Sequence, residues 1–336
     1  MGDCRLSILG RREAAMKRLD GLVGSFISVC LVAGCALQQA QAGYLVGWGD
    51  NRYGQSVAPA GNDYMAISTS STHSLAIKAD GTLLAWGDNS WGQCNVSEGL
   101  RCKAAAAGGA YTVAVKTDGT LAAWGNNAYG QSTVPQVTPP QTYEAVAANS
   151  ILTGVLTDTG FVSGWGACYS GVNVSFGNSI NHGRCVAMAC GYTFAMALRE
   201  DGSISAWNGN CDVAVPGGND YAAISAGNFH GLLLKTDGSL AAFSVISGSE
   251  YGHWDVPAGN DFVAVAAGAF HDLALRRDGS IVAWGDNTYG QCDVPAGNNY
   301  VEIAAGGNTS LAIAVPEPAT LSLLAMGGFA MLRRRA

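Results

Sequence analysis

The sequence predicts an all-β fold: a seven-bladed β-propeller of four-stranded blades, closed by pairing of its N- and C-terminal strands. Three observations predict it. Val, Ile, Thr and Tyr recur between Gly, Asn and Asp clusters, and no long 3.6-residue periodicity interrupts them, which is the pattern of short strands and tight turns. A "WG" strand recurs with its aromatic at Trp48, Trp86, Trp124, Trp165, Trp207, Phe243 and Trp284, at spacings of 36 to 42 residues. An Ala-rich hairpin also occurs seven times, from "MAISTSSTHSLAIKADG" to "VEIAAGGNTSLAIAV". Units of about 40 residues with four short strands have the period of propeller blades.

Each unit reads in order as an Ala-rich strand, a "HSLAI"-like strand, a turn, a "TLLAWG" strand and a short "CDVP" strand. Small side chains suit the first strand, where blades crowd toward an axis, whereas Trp and Leu suit strands farther out. The turn is Asp-Gly at Asp80, Asp118, Asp201, Asp237 and Asp278, with Thr159-Gly160 as a weaker version. Asp-Gly between apolar strands predicts a two-residue hairpin loop. The "WG" strand at Trp48 has no Ala-rich hairpin before it, and the hairpin Val301–Val315 has no "WG" strand after it. The two halves make one blade, and joining them would protect sheet edges.

The ends differ from the body. Lys17 and Arg18 precede an apolar run that leads to Ala40-Gln41-Ala42, the layout of a secretory signal spanning 1–42, with Met16 as a candidate true start. "VAGC" ending at Cys35 offers lipidation as the alternative to cleavage after Ala42. From Gly43 to Val315 there are 21 acidic and 10 basic residues, a net charge of −11. A nucleic-acid binder needs a basic footprint, so nucleic acid is not expected as a partner.

The recurring pattern A-x-G-x-x-H-S-L-A-L-x-x-D-G-x-x-x-A-W-G-x-N-x-x-G-Q resembles the regulator of chromosome condensation repeat in its short bacterial version. The resemblance covers about Tyr44 to Val315 and implies a seven-bladed propeller. The best-known eukaryotic member of that family exchanges nucleotide on a small GTPase and docks on chromatin, and no motif here carries that activity over. "GACYSGVNVSFGNSINHG" after Trp165 and "SVISGSEYGHWDVP" after Phe243 depart from the pattern. The tail, Val315-Pro-Glu-Pro-Ala-Thr, then "LSLLAMGGFAML", then Arg333–Arg335, resembles a PEP-CTERM sorting signal, here 316–336. That resemblance implies an exosortase-type processing enzyme as partner and a Gram-negative bacterium. The apolar stretch Ala319–Leu332 has 14 residues. As a helix it spans roughly 21 Å, short of the roughly 30 Å hydrocarbon core, which suits a transient membrane association. The Arg tail would stay cytoplasmic.

Candidate chemistry is sparse. His73, His230 and His271 share a repeat slot with Tyr111, Leu152, Phe194 and Thr309, so the slot reads as packing. The Asp-Gly pairs stand singly at turns, whereas calcium needs six or more converging oxygens. His182, Cys185 and Cys190 lie close together but lack a C-x-x-C pair. Seven cysteines follow residue 42, and an odd count leaves at least one unpaired in an exported chain. Cys94–Cys102 and Cys168–Cys185 are the two candidate disulfides. No nucleophile elbow, P-loop or H-E-x-x-H motif is present, and no cofactor is implied.

The loops after "WG" carry Tyr53, Trp91, Tyr129 and Tyr289 in one register. Exposed Tyr and Trp are favoured binding anchors, and Asp50, Asp88 and Asp286 beside them would add negative charge. Packing between blades is the other reading of that slot. The expected function is therefore an exported, surface-sorted propeller acting as a non-catalytic protein-binding module, its partner a protein or a surface polymer. Two alternatives stay open. One is a secreted enzyme inhibitor resembling the propeller-type β-lactamase inhibitory protein. The other is an enzyme acting on extracellular polysaccharide through the propeller channel, which convergent carboxylates at one channel mouth would mark.

Overall fold

The computed structural model describes residues 42–136, 141–167, 183–208, 211–245 and 255–316. Among them every regular element is a strand, and the strands form seven antiparallel sheets. Sheet 1 holds Tyr64–Thr69, His73–Lys78 and Leu83–Gly87, and sheet 2 holds Cys102–Ala107, Tyr111–Lys116 and Leu121–Gly125. Sheet 3 holds Tyr143–Ala148, Leu152–Thr157 and Val162–Gly166. Sheet 4 holds Cys185–Cys190, Ala195–Arg199, Ile204–Asn208 and Cys211–Val213. Sheet 5 holds Tyr221–Ala226, His230–Lys235 and Leu240–Ser244, and sheet 6 holds Phe262–Ala267, His271–Arg276 and Ile281–Gly285. Sheet 7 joins the two ends of the body: Tyr300–Gly306 and Thr309–Ala314 with Tyr44–Gly49. The last pairing runs from Tyr44 opposite Ala314 to Gly49 opposite Thr309. Each sheet packs on the next, and sheet 1 packs on sheet 7.

The first strands of all seven sheets line one axial cavity of about 210 Å³, walled mainly by Ala, Ser, Val and Ile. Small residues occupy that strand because seven backbones converge there. Outward, larger side chains fill the seams; Leu75, Val113, Val155, Met196, Leu232, Leu273 and Leu311 on the second strands are all buried.

Two local expectations are corrected. The Asp-Gly loop has three residues, not two: Lys78 N donates to Thr82 O at 2.9 Å, and Gly81 N donates to Lys78 O at 2.8 Å. Gly81 sits at φ +82° and the Asp80 carboxylate accepts from Thr82 N, so the pair builds a turn closed by a left-handed glycine. The fourth strand forms, among the described residues, in sheet 4 alone, where Asn208 pairs directly with Cys211. Only two residues separate those strands, so the chain doubles straight back. After sheets 7, 1, 2 and 6 the longer "GDNxYGQ"-type loop carries the chain across to the neighbouring sheet, where the glutamine carbonyl accepts a tryptophan N–H.

The histidine slot is buried and bridges sheets. His73 Nε2 lies 3.0 Å from Thr112 Oγ1, His271 Nε2 lies 2.9 Å from Ser310 Oγ, and His230 Nε2 lies 2.9 Å from Asp272 Oδ1. Cys94 and Cys102, expected to bridge, are free thiols. The Cys94 thiol donates to Asp88 O at 3.2 Å, while Cys102 is buried at the start of its strand. Burial pushes both thiols up to about 11, which keeps them protonated at neutral pH. Cys185 is likewise a free buried thiol, and Cys168 and His182 lie outside the described residues. So do the signal segment 1–41, the tail 317–336 and most of the two divergent loops.

Candidate binding face

Four loops of the sequence Asp/Asn-Asn-x-Tyr/Trp-Gly-Gln follow the third strands of sheets 7, 1, 2 and 6. All four share two side-chain bonds, one to the Asn and one to the Gln. In the loop of sheet 1, Asn89 Oδ1 accepts Cys94 N at 2.9 Å and closes a six-residue turn. Gly92 takes φ +77°, the left-handed conformation the turn requires. Gln93 is fully buried, and its Oε1 accepts the backbone N–H of Trp91 at 2.9 Å. Gln55, Gln131 and Gln291 make the same bond to Tyr53, Tyr129 and Tyr289 at 2.8 to 2.9 Å.

The glutamine backbone fastens each loop to the next sheet. Gln93 O accepts both Trp124 Nε1 at 2.9 Å and Thr112 Oγ1 at 2.8 Å. Gln55 O receives Trp86 and Ser74, Gln131 O receives Trp165 and Thr153, and Gln291 O receives Trp48 and Ser310. These bonds explain why the sequence couples "GQ" to the Trp of the following unit. They also aim the preceding aromatic outward. Trp91 is 59% exposed, Tyr53 51%, Tyr129 45% and Tyr289 43%, so none is core.

First and third strands run the same way within a sheet, so these loops share a face with the first-to-second turns, and the Asp-Gly turns lie on the other. A cavity of about 450 Å³ opens on the aromatic face, lined by Ser70, Gly109, Ser150, Asn228 and Asn308, with Asp286 and Tyr289 of one loop at its wall. Ring order sets sheets 6, 7, 1 and 2 side by side. Tyr289, Tyr53, Trp91 and Tyr129 therefore form one arc over four consecutive sheets. The guanidinium of Arg52 lies 5.1 Å from the Tyr289 ring centroid, which joins the loops of sheets 6 and 7 directly.

The carboxylates expected to charge this face are engaged within their loops. Asp50 is buried and receives Arg52 Nη2 at 2.7 Å and Nε at 3.0 Å. The Arg52 hydrogen bond is the main cause that lowers the Asp50 pKa. Burial raises that of Asp88, but bonds from Ser90 and Gln93 outweigh it and hold the group below its ordinary value. Asp286 accepts from Thr288 N, Thr288 Oγ1 and Gln291 Nε2. Between Gly43 and Val315, Arg52 is the one basic residue at this end; the other nine stand at the Asp-Gly end, where Lys78, Lys235 and Arg276 pair with Asp63, Asp220 and Asp261. Among the described residues no three His, Cys, Asp or Glu side chains converge as metal ligands. Nor is any described helix long and apolar enough to cross a membrane.

Comparison with known proteins adds two family matches. Residues 66–93, 102–131 and 262–291 match the regulator of chromosome condensation (RCC1) repeat. Residues 314–336 match the PEP-CTERM protein-sorting motif. No curated protein sequence matches the chain. Among solved structures, Prp20p from Saccharomyces cerevisiae, described for its binding to Gsp1p and histones, is 16% identical with a TM-score of 0.68, covering 90% of this chain and 97% of its own. Human WBSCR16 is 14% identical with a TM-score of 0.67, covering 82% and 100%. The ectodomain of the Arabidopsis thaliana receptor kinase ACR4 is 22% identical with a TM-score of 0.56, covering 72% and 87%. At these identities the likeness is one of fold. The protein thus carries RCC1 repeats in an all-β architecture like that of the RCC1-type propellers, and it ends in a PEP-CTERM sorting motif that marks it for export.

Proposed function

We propose that the chain is an exported, surface-sorted module that binds an extracellular macromolecule without catalysis. Residues 1–42 are its leader, 43–315 a seven-bladed propeller closed by its own ends, and 316–336 a tail removed by an exosortase-type enzyme. One observation carries the binding role: four exposed aromatics, held by loops that share the same asparagine and glutamine bonds, stand on consecutive sheets of one face. Rigid aromatic side chains gain contact area at little entropic cost, and these loops are fixed before any partner arrives. A catalytic channel is less well supported, because Glu302 lines the narrower cavity and Asp286 the wider one. The neighbour Prp20p, described for its binding properties, lends the analogy of a propeller used as a binding scaffold.

Photo-crosslinking on intact cells tests the reading. A photoreactive phenylalanine analogue at position 129 should yield a macromolecular adduct, and the same analogue at position 118, on the opposite face, should not. Adducts from position 118 alone, or from neither position, would remove the aromatic face as the binding site.

A further inference from the structure

We infer that the aromatic arc binds a neutral polysaccharide, each of Tyr289, Tyr53, Trp91 and Tyr129 stacking on a sugar ring. This rests on the binding-module reading and names its ligand. The first ground is repetition. Four loops with the same internal bonds present one aromatic per sheet on four consecutive sheets. A ligand that engages all four equivalently must itself repeat, as a polymer does. Protein interfaces instead gather their anchors in a central desolvated pocket. Here the aromatics are spread one per sheet over four sheets, each 43 to 59% exposed, and of the four Tyr289 alone lines the 450 Å³ cavity.

Charge decides which polymer. Proteins that hold single-stranded nucleic acid on aromatic platforms add a basic groove along the backbone. This face has Arg52 alone among the described residues, and that guanidinium is committed to Asp50 and to the Tyr289 ring. Asp88, Asp286 and Asp293 carry no described cation beside them on this face, so a polyanion is repelled. Beside Asp286, the polar side chains at the cavity wall include the neutral Ser150, Asn228 and Asn308. Sugar rings offer what fits. Their C–H faces carry weak positive charge that matches the negative face of an aromatic ring, and their hydroxyls pair with amides. Four weak contacts on one chain then add through effective concentration.

Native affinity electrophoresis of the exported protein tests this. The gels contain hydroxyethyl cellulose, xyloglucan, galactomannan or dextran, with alginate and oligothymidylate as polyanionic controls. At least one neutral polymer should retard the protein, and neither polyanion should. Tyr53→Ala, Trp91→Ala, Tyr129→Ala and Tyr289→Ala should each weaken retardation about two- to tenfold. The quadruple variant should abolish it, with an unchanged thermal melt. The proposal falls if none of the four neutral polymers retards the protein, if the quadruple variant still binds, or if the polyanions bind as well. If the gels fail while position 129 crosslinks to a protein, the module reading survives and the polysaccharide does not.

Discussion

His73 and His271 show what burial does to a single residue. Both are fully enclosed, and burial drives each pKa down from the ordinary 6.5 to about 4. Their Nε2 atoms meet a hydroxyl on the next sheet, a bond a neutral ring makes at no charging cost. The unfolded chain therefore takes up these protons first. Stability is fully present above pH 6.5 and declines as pH falls toward 4, by up to about 3 kcal/mol for each histidine. Melting temperatures between pH 7 and 4 should fall accordingly, and the double variant His73→Gln, His271→Gln should flatten that decline. The burial of these residues was legible in the sequence, because a slot that holds Leu and Phe in other repeats reads as packing. The engagement of Asp88 and Asp286 was not, since a turn-forming Asp and a surface charge are the same letter until the loop closes.

At the scale of elements, the sequence pattern locates every hairpin but misjudges two connections. The apolar "CDVP" segment reads as a fourth strand. Which way that segment turns depends on loop length and on the carbonyl of the glutamine, neither of which has a hydrophobic period. Gln93→Ala removes the acceptor for Trp91 N–H and the donor to Asp88, and it empties a buried site. A loss of about 2 kcal/mol is expected, read as a lower urea midpoint at unchanged m value. Glycines at the two ends of one loop type should separate strain from crowding. Gly54 has φ +81°, and a methyl group added there would meet nothing within 4 Å, so Gly54→Ala should cost only the roughly 1–2 kcal/mol of the left-handed backbone. Gly87 has φ +106°, and its Cβ would meet Thr72 O at 2.6 Å and His73 Cα at 2.8 Å. Gly87→Ala should therefore be clearly the worse of the two, and equal costs would show that the seam has room to spare.

For the whole molecule, the half-units at the two ends of the body were legible because each lacks what the other has. Their consequence for the site was not, since Tyr289 lies 236 residues from Tyr53 in the chain and beside it in the fold. Tyr44–Gly49 supplies the edge of sheet 7, pairing along its full length with Thr309–Ala314. The same segment sends Trp48 Nε1 to Gln291 O of sheet 6 at 2.8 Å and Asp50 N to Asn308 O at 2.9 Å. Gln55 then fastens sheet 1 through Ser74 and Trp86. Removing residues 43–60 would thus strip a strand and remove these bonds from sheet 7 to sheets 6 and 1, leaving between sheets 6 and 7 the bonds of Ser310 to His271 and Gln291 O. In an array where each unit is stabilised by its neighbours, opening one seam weakens all the others. Hydrogen exchange should show faster exchange in sheets 3 and 4, far from the deletion, with a lower and broader melt; removal of 317–336 should change neither. If sheets 3 and 4 keep their protection and only sheet 7 exchanges faster, the units are independent, and the pairing of the ends aligns the aromatic arc without holding the molecule together.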